Sequence, residues 1–168
     1  MQIELTADQV GALAARLTQA GESVSELFYN GSALQVPDDL IAAAEAIMAE
    51  PGWEAAASAD ALLRYAANKR WEVETGGISV AGVPVATDDR SKIMIMGARV
   101  AAQANPDWTT VWHGTDGEIY PLNAAQMIAI SDAVEAHANA TFAAFAAVKT
   151  AIEDGEITAI EQVDQALG

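Results

Sequence analysis

The chain has 168 residues, with 8 Lys plus Arg against 24 Asp plus Glu, a net charge of −16. Such acidity repels phosphate backbones and anionic headgroups, so neither nucleic-acid binding nor attachment to an anionic membrane surface is expected. It contains no cysteine, which excludes a disulfide framework and thiolate catalysis.

Nor does any apolar run approach the roughly 20 residues that span a bilayer. Met1-Gln2-Ile3-Glu4 lacks the basic start of a signal peptide. The expectation is a soluble protein without membrane insertion, needing no oxidising compartment.

Thr6-Ala7-Asp8-Gln9 has the form of a capping box, and Val10, Leu13 and Leu17 recur at helical spacing until Gly21. Leu27 to Val36 places Asn30-Gly31 between two strand-prone arms, a hairpin signal. Pro37-Asp38-Asp39 opens a second helix with Leu40, Ile41, Ala44, Ile47 and Met48, which Pro51-Gly52 ends. Residues 1–52 thus read as a helix–hairpin–helix attachment module. Residues 53–59, mostly alanine, read as a linker with partial helix. Residues 60–168 form the main domain.

That domain begins with a helix from about Asp60 through Leu62, Leu63, Tyr65, Ala66, Lys69 and Arg70 to Glu74, closed by Gly76-Gly77. A hairpin follows, Ile78-Ser79-Val80 against Val83-Pro84-Val85, with Pro84 on an edge or at a bulge. Thr87 is expected to cap the next helix, whose buried stripe is Ile93, Met96, Gly97 and Val100, before Asn105-Pro106 breaks it. Thr109 to His113 and Glu118 to Leu122 form another hairpin around Gly114-Thr115-Asp116-Gly117.

Asn123 with Gln126 caps the longest helix, about Ala124 to Glu153. Thr158 with Glu161 caps a short last one carrying Ile160, Val163 and Leu167. On the long helix Met127, Ile130 and Val134 form one 3–4 series. Ala138, Thr141, Phe145, Val148 and Ile152 form another, offset at His137/Ala138 like a stutter. The fold class is α+β: two small β-hairpins in one antiparallel sheet, helices on one face, a long C-terminal helix, and the N-terminal module before them.

Charge varies along the chain. Residues 1–60 hold 1 basic and 10 acidic groups, residues 61–100 hold 6 and 4, and residues 101–168 hold 1 and 10. Asp88-Asp89-Arg90 offers paired carboxylates beside a cation. It also suits a helix N-terminus, with Arg90 reaching Glu72 or Glu74. His113, Asp116 and Glu118 surround a turn, but a transition-metal site needs a third or fourth close ligand that the sequence does not name. Asp-Gly is equally turn chemistry.

Of Trp108 and Trp112, one fills the core while the other, with Tyr120, lines a surface patch. The distal half of the long helix, with Phe142 and Phe145, either packs on its own sheet or meets another chain. No Ser/His/Asp order, phosphate-cradling glycine loop or H-E-x-x-H motif is present. The chain reads as non-enzymatic, with no catalytic residue, metal or cofactor. Its candidate interaction surface is Arg90, Trp112, His113, Asp116, Tyr120, Phe142 and Phe145.

Several motifs then occur in order: Tyr65-Ala66-Ala67-Asn68-Lys69-Arg70-Trp71-Glu72, Gly76-Gly77-Ile78, Thr87-Asp88-Asp89-Arg90-Ser91, Gly97-Ala98, Asp107-Trp108-Thr109-Thr110, Trp112, Gly114-Thr115-Asp116-Gly117 and Leu122-Asn123-Ala124-Ala125. With them, residues from about Leu62 to Leu167 resemble an uncharacterised domain family of tailed bacteriophages and prophages, usually encoded among tail-fibre genes.

The resemblance implies a structural, non-enzymatic tail-tip, baseplate or tail-fibre component of the virion, made in the host bacterial cytoplasm, that connects or presents a fibre for host attachment. It implies as partners other tail and fibre proteins, further copies in a fibre-like homotrimer, and a host surface receptor. The alternative is a tail-fibre assembly chaperone absent from the mature particle. A third class, a glycan hydrolase, would draw its two carboxylates from Asp88, Asp89 and Asp116.

Overall fold

A computed structural model describes residues Met1–Gly168. The chain divides into two compact units, one of Met1–Tyr65 with Thr150–Gln162, the other of Ala66–Lys149 with Val163–Gly168. No helix is long and apolar enough to cross a membrane.

In the first unit, β1 (Gln2–Glu4), β2 (Phe28–Tyr29) and β3 (Ala33–Gln35) form an antiparallel sheet in the order β1-β3-β2. Helix α1 (Ala7–Gln19) starts at the expected capping box. The Gln9 amide donates to the Thr6 hydroxyl, and the Thr6 amide donates to the Gln9 side chain at 2.8 Å. Asn30 organises the β2–β3 turn, its side-chain oxygen accepting the amides of Ser32 and Ala33. A 3-10 turn (Asp38–Leu40) leads into α2 (Ile41–Met48).

Strand β1 changes the expected helix–hairpin–helix order. Ile3 pairs with Leu34, a three-residue contribution too short for periodicity to reveal. Leu13, Leu17, Leu34, Leu40, Ala44, Trp53 and Ala57 form this unit's core.

The expected linker at 53–59 is helical. Helix α3 runs unbroken over Trp53–Thr75. Alanine favours helix intrinsically, and Trp53 and Ala57, one turn apart, bury together. Both α3 and α5 (Ala124–Glu153) contribute residues to each unit.

The second unit holds β4 (Ile78–Val80), β5 (Val83–Val85), α4 (Asp89–Ala104), β6 (Thr109–His113), β7 (Ile119–Asn123) and most of α5; α6 (Ile160–Leu167) follows. The two hairpins do not join into one sheet: β4–β5 and β6–β7 are separate two-stranded ladders. One backbone hydrogen bond, from the Thr115 amide to the Pro84 carbonyl at 3.4 Å, joins strand β5 to the β6–β7 turn. Pro84 has no N–H to extend the ladder on its own strand. The core under both ladders gathers Val83, Val85, Ile95, Ala102, Leu122, Met127, Ile130 and Val134, with Trp108, Trp112 and Tyr120 packed against it.

Helix α5 begins at the expected reciprocal cap of Asn123 and Gln126. Its buried positions run without a stutter, since Met127, Val134, Thr141 and Val148 recur every seventh residue. His137 occupies the inward position at the supposed offset, its Nε2 donating to the Val73 carbonyl at 3.0 Å. At the start of α6, Gln162 rather than Glu161 caps, accepting the Thr158 and Ala159 amides.

Two further expectations are corrected at α4. Asp88 is the N-cap, its carboxylate taking the amide and hydroxyl of Ser91. Thr87 is instead fully buried. The stripe expected inside is outside as well. Ile93, Met96 and Val100 are each more than half exposed, while Ile95 and Ala102 are buried.

Candidate interaction surface

The β6–β7 hairpin alternates, as strand geometry requires. Thr110, Trp112, Tyr120 and Leu122 turn toward the core, whereas Thr109, Val111, His113, Ile119, Pro121 and Asn123 face solvent. Cross-strand neighbours are Trp112 with Tyr120, Val111 with Pro121, and His113 with Ile119. Trp112 and His113, adjacent in sequence, therefore lie on opposite faces. Trp112 is half-buried against the core, with its indole N–H buried and unpartnered.

Asp116 builds the turn. One carboxylate oxygen accepts the Glu118 amide at 3.0 Å, and the other accepts the Tyr120 hydroxyl at 2.6 Å. The Tyr120 hydroxyl, then the Glu118 amide, hold the Asp116 carboxyl below its ordinary value despite some desolvation. The same hydrogen bond, followed by burial and the negative charges of Asp116 and Glu118, raises the Tyr120 phenol. Gly114 fits against this pair because it has no side chain. An added Cβ would lie 2.5 Å from the Asp116 carboxylate and 2.8 Å from the Tyr120 ring.

His113, Asp116 and Glu118 do not converge; no three His, Asp or Glu side chains anywhere form a metal-binding group. Of the carboxylates considered for hydrolysis, Asp88 caps α4, Asp89 lies 3.8 Å from Lys92, and Asp116 is tied to its own hairpin.

Phe142 and Phe145 form a second grouping, on α5. The Arg70 guanidinium lies 4.6 Å from the Phe142 centroid and 6.0 Å from that of Phe145, within cation–π range. Phe142 is mostly exposed and Phe145 half-buried. Glu74 holds Arg70 in place and also binds Lys92 at 2.6 Å. Hydrogen bonding from Lys92, followed by the charges of Lys92 and Arg70, outweighs burial and lowers the Glu74 carboxyl. Arg90, expected to reach Glu72 or Glu74, instead projects into solvent from the first turn of α4.

Sequence reasoning missed two apolar features: the outer hairpin face of Val111, Ile119 and Pro121, and the exposed stripe of α4. Period-two alternation over Thr109–His113 carried a signal for the first, because it separates Val111 and His113 from Trp112.

The family model described as Domain of unknown function (DUF4376) matches residues 54–166, starting within the expected linker and ending near the expected boundary. No curated protein and no solved structure matches the chain. Because the matched stretch is more than half of the 168 residues, the chain belongs to the DUF4376 domain family, an uncharacterised one.

Proposed function

We propose that this protein is a non-enzymatic structural component of a bacteriophage tail tip or tail fibre, connecting or presenting the fibre for host attachment. The outer face of the β6–β7 hairpin carries this reading. Val111 and Ile119 are each more than half exposed, beside Pro121, on a ladder whose other face already packs on the core. Clustered exposed apolar side chains favour contact with another protein. This hairpin also bears the Asp107-to-Thr110, Trp112 and Gly114-to-Gly117 motifs on which the resemblance to tail-fibre-associated domains rests. Its partners would be tail and fibre proteins, with a host surface receptor beyond them, and its place the virion after synthesis in the bacterial cytoplasm.

The same hairpin face suits a tail-fibre assembly chaperone, which would hold the fibre and leave before the particle is complete. Mass spectrometry of gradient-purified virions, counting this chain against the major capsid protein, separates the two readings. A fixed small number of copies per particle is the expected result. Abundance in infected lysate with absence from virions would sink the structural assignment and leave the chaperone. Ile119→Lys, on the exposed face, should reduce incorporation without unfolding the protein; unchanged incorporation would remove the hairpin from the contact.

A further inference from the structure

We propose that a second copy of this chain docks on α4, the two helices crossing antiparallel about a two-fold axis beside Gly97. Ile93, Met96, Gly97 and Val100 fall on one side of the helix at 3–4 spacing, all exposed, with Met94 beside them. The opposite side of α4 already has its partners, because Ile95 and Ala102 are buried in the core.

Gly97 adds an observation independent of exposure. Glycine inside a helix is destabilising, and a side chain added here would meet no atom within 4 Å. Nothing in the chain's own packing requires it. A bare backbone on an apolar helix face lets a second helix approach closely.

Self-pairing follows from the order of residues. The helix spans Asp89–Ala104, so Met96 and Gly97 occupy its centre. A two-fold axis there sets the long Met96 side chain of each copy over the other's Gly97 and places Ile93 against Val100. Both helices then overlap along their full length of about 24 Å.

The ends are complementary too. Arg90 is exposed, joins no ion pair, and sits in the first turn, where the helix dipole disfavours a cation. In the antiparallel arrangement it meets the partner copy's last turn, with its free carbonyls, and the exposed Asp107 just beyond. Residues 61–100 hold 6 basic and 4 acidic groups, the only stretch of this acidic chain where cations outnumber carboxylates. Two copies therefore meet where repulsion is least. The proposal does not depend on the tail reading.

The experiment is sedimentation equilibrium on the full chain at increasing concentration. The mass should rise from 17.5 kDa to twice that value, and Val100→Glu should weaken the dimer at least about tenfold with an unchanged far-ultraviolet spectrum. A monomer throughout, a trimer, or a dimer indifferent to Val100→Glu would overturn the proposal.

Register is read by cross-linking, because the chain has no native cysteine. On oxidation Gly97→Cys should give a covalent dimer. Arg90→Cys should fail to link to itself but should link to Ala104→Cys when the two are mixed. Self-linking of Arg90→Cys, or no linking in either experiment, overturns the antiparallel arrangement.

Discussion

The Thr87 hydroxyl donates to the Glu74 carbonyl at 2.6 Å and accepts the Gly77 amide at 2.9 Å, so one buried side chain ties the end of α3 to the start of α4. Both backbone groups lie where regular hydrogen bonding stops, and both are part-buried, so water replaces the hydroxyl only in part. Thr87→Val keeps the shape but strands both. We expect a loss of about 2–3 kcal/mol in chemical denaturation, with Thr87→Ser costing about 1 kcal/mol. A loss in Thr87→Ser with none in Thr87→Val would show that the methyl group, not the hydroxyl, matters.

The Glu74 side chain is 12% exposed and held by Lys92 and Arg70. Its carboxyl is lower in the folded chain than in the unfolded one. Its contribution to stability is therefore present above the ordinary glutamate value of 4.5 and is lost as pH falls below it, through the folded value. Glu74→Gln should reduce stability at neutral pH and flatten the decline in acid. An unaltered pH profile in that variant would assign the decline to other carboxylates.

At the β6–β7 turn, Gly114→Ala would drive a methyl into the Asp116–Tyr120 pair. The expected cost is about 1–3 kcal/mol, as for other overpacked sites. Tyr120→Phe removes the hydrogen bond without crowding, so the Asp116 carboxyl should rise toward its ordinary value in a carbon-detected NMR titration. Because the phenol is raised in the folded state, its small contribution is present below 10.0 and lost as pH climbs past it. Loss of one raised tyrosinate transition in Tyr120→Phe would confirm the assignment.

Trp112 separates packing from contact. Its ring lies against the core, yet its indole N–H is buried without a partner. Trp112→Ala should cost about 3 kcal/mol or more. Trp112→Phe should stay within about 1 kcal/mol, since it also removes the unpaired donor. Thermal unfolding of both variants checks this. Should the alanine variant unfold like the parent but bind the proposed tail partner more weakly, Trp112 would be a contact residue.

Local chemistry identified many elements in advance. The Thr6/Gln9 and Asn123/Gln126 caps, the Asn30-Gly31 turn and the thirty-residue α5 each rest on residues within a few positions of one another. The face of α4 could not be read in this way, because the helix is apolar on both sides. Periodicity finds a stripe but cannot say what covers it. Small Ala98 and Ala102 turn inward beside Ile95, and ion pairs of Lys92 with Glu74 and Arg99 with Asp132 fix the rotation. The role of Thr87 is hidden for a related reason: Thr and Asp both make good caps, and only the distant Glu74 and Gly77 decide between them. Among the candidate surface residues, alternation set Trp112 apart from His113, whereas the placing of Arg70 over Phe142 depends on residues 72 positions apart in the chain.

The strand pairings also set an order of folding. In the second unit every pairing closes between consecutive strands, β4 with β5 and β6 with β7. Such hairpins form in about 1–10 μs, and a chain rich in neighbouring contacts crosses its folding barrier quickly. Strand β1 is different, for Ile3 must find Leu34 across the whole of α1. Closing that longer loop carries the larger entropic penalty. The amides pairing β1 to β3 should therefore gain protection from hydrogen exchange last during refolding, after both hairpins of the second unit are closed.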